Sequence, residues 1–226
     1  MALQHDRCFV PVSQRRPIQR LGLLSFVGVA IAVASSAQTP RGALVDLLVF
    51  GPDVTSVDLK AYSPEIREQI DDYVRRYQSY QSTRVRPESG VLKMVPAAQV
   101  RYERRLAAVS DDPRAAAIAP AYVDRLRPCY EWEGFHDCPE REAQFARDYR
   151  AANPTGPFSD YLPLLEAHRW LCAAEGYEYE ERPQDAARSR KAFLTAVSRA
   201  RSSAVLLVRT AADELAARAR CFSRQP

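Results

Sequence analysis

His168, Cys172 and Glu175 are spaced by four and three residues in a stretch that reads as helix. That spacing raises an imidazole, a sulfur and a carboxylate on one ridge. Such a trio can ligate a transition metal when the sulfur is a free thiolate, or do acid–base work beside a pocket. It can equally be a polar network inside a core, with Cys172 oxidised, because buried ionisable groups need partners. A second set lies between Cys129 and Cys138: Glu131, Trp132, Glu133, His136 and Asp137. Carboxylates beside a histidine, here Glu133 and His136, can move protons or hold a cation. The plainer alternative is a corner stapled by the two cysteines, with its acids in solvent and Trp132 and Phe135 plugging the joint.

Whether a cysteine is free depends on where the chain resides, and the first 37 residues bear on that. Arg15, Arg16 and Arg20 precede an apolar core from Leu21 to Ala34, and Ser35-Ser36-Ala37 supplies small residues where a signal peptidase reads. The core is about 14 residues, short of the roughly 20 that a spanning helix needs. The stretch therefore reads as a removed signal peptide and not as an anchor, which places the remainder in a periplasm or outside the cell. Adjacent Arg15 and Arg16 leave both the general and the twin-arginine export routes open.

Removing that segment takes Cys8 and leaves Cys129, Cys138, Cys172 and Cys221, an even number suited to two bridges in an oxidising compartment. Three pairings are open. Local proximity and the turn at Gly134 favour Cys129 with Cys138, which leaves Cys172 with Cys221. The formal charge of +4 comes largely from Arg7, Arg15, Arg16 and Arg20 against Asp6, so the remainder is nearly neutral. It holds no run of five basic residues, and nucleic acid is a poor fit as a partner.

The elements that must position these groups are helices. Ser63-Pro64-Glu65 is an N-cap, a proline at the first helical position and an early acid. Ile66, Ile70, Tyr73, Val74 and Tyr77 then repeat at helical steps to about Ser82. Arg84 to Gly90 is a polar break. Pro96 opens a second helix to Val109. Asp112-Pro113 opens a third through Leu126, with Pro120 a kink or break. Cys138-Pro139 begins a fourth that ends near Asn153-Pro154. A fifth runs from Ser159 to Glu181, with Tyr161, Leu164, Leu165, Leu171, Cys172 and Tyr179 facing the core and His168 and Glu175 among them. Helix resumes after Pro183. A straight final helix would hold Cys172 and Cys221 roughly 40 Å apart along the axis, so their pairing requires a break, best placed at Arg201-Ser202-Ser203.

The expected fold is all-α: an irregular bundle or stacked hairpins of five to six helices over 63–226. Residues 38–62 are ambiguous, because Leu44 to Phe50 suits a strand or a short helix. One stretch resembles a tetratricopeptide-type helical hairpin: Glu142-Ala143, Phe145, Tyr149 and Asn153-Pro154, then Tyr161 to Ala174. The resemblance covers about 40 residues with no second copy near a period of 34. It implies a helix-pair packing mode and a protein-binding surface.

A phosphate loop, His-Glu-x-x-His and Gly-x-Ser-x-Gly are all absent, and no cofactor is called for. Binding or scaffolding, with another envelope or secreted protein as partner, is therefore favoured over catalysis. The runner-up is a metal-binding protein or hydrolase-type enzyme on the His168, Cys172 and Glu175 ridge.

Overall fold

The structure is a computed structural model that describes residues 41–82, 97–129, 134–218 and 220–221. The signal stretch, the Arg84 to Gly90 break, and Glu131, Trp132 and Glu133 lie outside the described residues. The fold is all-α. Its helices are α1 (Leu44–Phe50), α2 (Pro64–Ser79), α3 (Ala97–Val109), α4 (Ala115–Leu126), α5 (Asp137–Ala152), α6 (Leu162–Tyr179), α7 (Pro183–Arg201) and α8 (Leu206–Ala216). A parallel pair of two-residue strands, β1 (Arg41–Gly42) and β2 (Ser56–Val57), flanks α1 with Arg41 opposite Ser56. No helix among the described residues is long and apolar enough to cross a membrane.

Among the described residues there are eight helices where five to six were expected, and both additions are held by partners distant in sequence. The ambiguous apolar run folds as α1, buried from Leu44 to Val49. A seven-residue helix cannot satisfy its own ends, and side chains from distant elements do so. Glu214 on α8 accepts from the Val45 N–H at 3.0 Å, and the Tyr62 hydroxyl accepts from the Leu44 N–H at 3.0 Å. Tyr161 donates to the Leu48 carbonyl at 2.8 Å. Arg218 grips Asp46 with two bonds of 2.7 Å. Local sequence carries none of these partners. Gly51 ends the helix at φ +91°, with the Tyr77 ring packed where a side chain would start.

The second addition is α8. After α7 the chain turns at Ser202–Val205, where Asp160 accepts from the Ser203 hydroxyl at 3.1 Å and the Ala204 N–H at 3.2 Å. The expected break therefore occurs, and it returns the chain to α6. Pro120 does not end α4 but lies inside it.

Helix α6 packs against both α5 and α7 and is buried on nearly every face. It does not show a single core-facing side. Tyr179, expected inside, is 72 % exposed in the last turn, and Phe135 does not plug a joint but stands 44 % exposed with its ring edge on Tyr179. Between α3, α4 and α5, the Tyr122 ring meets Tyr102, Phe145, Tyr149 and Phe158, closing that half of the core.

Candidate functional site

Cysteines stand in two pairs at disulfide distance. Cys129 and Cys138 have their Cα atoms 6.1 Å apart, and Cys172 and Cys221 4.8 Å apart. Both separations lie in the range a bridge tolerates. The pairing matches the one favoured by local proximity.

His168 lies wholly inside, one turn before Cys172. Its Nδ1 is 3.5 Å from the Cys172 sulfur and 3.4 Å from an Arg169 guanidinium nitrogen, and its Nε2 is 3.8 Å from the Cys221 sulfur. The Phe50 ring meets it edge-on at 5.3 Å. Burial drives the imidazole pKa well below its ordinary value, and the positive charges of Arg169 and Arg218 add to that. The ring is therefore neutral. A guanidinium can only donate, so the Arg169 contact assigns Nδ1 as acceptor and leaves the proton on Nε2, facing Cys221.

Glu175 is not a third member of this group. Its carboxylate accepts the Cys221 N–H at 2.5 Å and so holds the returning chain in place, while burial raises its pKa. The donors that do come together are His168, Cys172 and Cys221, all buried and within 4.8 Å of one another. Local spacing could not nominate Cys221, because the turn between α7 and α8 delivers it.

His136 is elsewhere, before α5. Its ring stacks on Tyr177 at 4.1 Å, and its Nδ1 lies 2.6 Å from Glu180, whose pKa that contact lowers. Tyr177 donates to Glu140, and burial together with that carboxylate pushes its pKa up to about 12. The backbone of Phe135 and His136 runs so close to α6 that only glycine fits at 176.

A polar chain joins the two cysteine pairs. Glu142 is buried and accepts from the Cys129 N–H at 3.0 Å and from Arg169 Nε at 2.6 Å, while Arg169 reaches His168 with its other end. Glu142, Cys129 and Cys138 form a second compact donor group. This chain borders a cavity of about 300 Å³ between α1, α3, the link from α4 to α5, and α6. Phe50, Val54 and Pro128 give it apolar walls; Arg101, Arg105 and Arg169 give it cationic ones.

The arginines escaped sequence reasoning, although one signal was present. On α3, Ala98, Tyr102, Arg105 and Val109 share a stripe, and a charge at an otherwise apolar position marks an inward-facing group.

Compared with protein-family models, curated protein sequences and solved structures, the chain matches none.

Proposed function

We propose that this is an exported, disulfide-stapled helical protein that acts by binding a small ligand in the cavity beside α3 and α6. The observation that carries the reading is the cavity itself, at the lower end of the size range of ligand pockets, with mostly apolar walls and a few convergent polar groups. Two oxidised bridges suit an exported chain and would hold two of its walls, since Cys129, Cys138 and Cys172 all border the space. Large apolar side chains exposed among the described residues are Val54, Leu59, Phe135, Tyr179 and Leu194. Of these, Phe135 and Tyr179 form a ring pair. A ligand inside the bundle is therefore better supported than a long groove for a partner protein from the envelope.

The test is a titration of the oxidised chain with benzamide, a neutral aromatic probe, followed by amide shifts. Saturable shifts clustered at Phe50, Ala98 and Cys172, lost in Ala98→Trp, are expected. Shifts scattered over the surface, or unchanged by that plug, would overturn the reading.

One observation favours a second reading. His168, Cys172 and Cys221 are three ligands of the nitrogen and sulfur type that zinc prefers, with their donor atoms within 4.8 Å of one another. This site exists only in the reduced chain. Its signature is one equivalent of zinc bound after reduction and lost in Cys221→Ser.

A further inference from the structure

Arg105 lies 6 % exposed at the cavity wall, and its Nε is buried with no hydrogen-bond partner. Its guanidinium stands over the Tyr102 ring at 4.3 Å. Arg105 makes no ion pair among the described residues, and acids on α3, α5 and the stretch after α1 have other partners. Both oxygens of Glu142 are taken by Cys129 and Arg169. Asp53 accepts from Tyr77 at 2.7 Å and faces Arg104 at 3.8 Å. Glu103 takes the Ser82 hydroxyl at 2.9 Å. A buried cation without a counter-charge is costly to a fold. Arg101, one turn earlier on the same face of α3, also lines the cavity and has no ion pair or hydrogen bond among the described residues.

We infer that the cavity takes a small organic anion, with its acid group held by Arg105 and Arg101 and its apolar body against Phe50, Val54 and Pro128. The inference rests on the ligand-binding reading above and adds the chemical class of the ligand. Guanidinium forks match a carboxylate or a phosphoryl group through paired N–H donors. Glu142, neutralised by Arg169, does not oppose an incoming negative charge. The remaining walls offer apolar contact, so an inorganic anion fills the site poorly and a neutral body leaves Arg105 unpaired.

The test uses the full oxidised chain and four probes: benzoate, phenylphosphonate, benzamide and inorganic phosphate. Benzoate or phenylphosphonate should bind at least tenfold tighter than benzamide, and whichever is tighter identifies the acid group. Inorganic phosphate should be the weakest of the anions. Arg105→Met should abolish the preference for the anion while leaving benzamide affinity unchanged. Without ligand that variant should also unfold at the same or higher urea concentration, because the unpaired charge is gone. If benzamide binds as tightly as the anions, or R105M keeps the preference, the inference fails while the ligand-binding reading stands. If no probe binds, both fall. A lower urea midpoint for R105M would mark Arg105 as a structural prop and would also overturn the inference. Arg101→Met, at a half-buried position, gives the same affinity readout if R105M does not fold.

Discussion

Glu142 and Arg169 meet at 2.6 Å across the interface of α5 and α6, and each also touches a neighbour of a cysteine pair: Glu142 the Cys129 N–H, Arg169 the His168 ring. The side chain of Glu142 is 4 % exposed and that of Arg169 15 %. Removing one charge strands the other in the core. Glu142→Gln keeps an acceptor for the Cys129 N–H but leaves Arg169 uncompensated, and should cost about 3–5 kcal/mol. Urea unfolding measures it. The double change Glu142→Gln with Arg169→Met should recover much of the loss. An equally unstable double variant would show that packing, not charge, is at stake.

The two bridges should differ in worth. Cys172 and Cys221 are 49 residues apart and Cys129 and Cys138 nine. Loop-closure entropy gives about 4 kcal/mol for the longer loop and about 3 kcal/mol for the shorter. Double serine variants of each pair, compared by urea midpoint under non-reducing conditions, should follow that order. The reverse order would mean that the polar chain around Cys129 contributes more than the closure of the C-terminal helices.

The expected elements α2 to α7 were legible because each carries its own start signal or stripe, as Ser63-Pro64 and Cys138-Pro139 do. The C-terminal break was legible only by supposing that Cys172 and Cys221 pair. Residues 44–50 were not, since α1 owes its form to Glu214, Tyr62, Tyr161 and Arg218, partners that no local window contains. For the site, spacing brought His168 and Cys172 together on one ridge but put Glu175 where Cys221 stands. Neighbourhood along a helix is local, whereas the return of Cys221 depends on the whole C-terminal pair. Arg105 was overlooked for a related reason: an inward-facing arginine resembles a surface one until the opposite wall is known.

Stability should fall in mild acid because of His168. Burial and the nearby guanidiniums hold its folded-state pKa well below the ordinary 6.5, so the unfolded chain takes up a proton that the folded chain refuses. The stabilisation is complete above about pH 6.5 and is lost as pH falls below it, with a limiting slope of about 1.4 kcal/mol per pH unit. Glu166 and Glu175, whose pKa values burial raises, act in the opposite sense: their contribution is present at low pH and lost as pH rises. Comparing the chain with His168→Gln separates the two effects. The difference in unfolding free energy between them should shrink from pH 7 to pH 5. A constant difference would contradict a buried neutral imidazole.

Gly176 should resist substitution even though it sits inside a helix. A Cβ there would lie 2.5 Å from the His136 nitrogen and 2.7 Å from its Cα, both backbone atoms. Gly176→Ala must push that link off α6 and should cost about 1–3 kcal/mol, whereas an unobstructed helical glycine would gain up to about 1 kcal/mol from the change. The sign of the shift in urea midpoint decides between them.

The central claim is an exported chain whose four remaining cysteines are oxidised in two pairs around a binding cavity. Its most direct test is the intact mass of the full chain expressed in an exporting host, alkylated with and without prior reduction. The account predicts a mass beginning at Gln38, no alkylation before reduction and four alkylated cysteines after it. A mass that retains residues 1–37, with Cys172 and Cys221 alkylated at once, would contradict it and make the reduced metal site the leading reading.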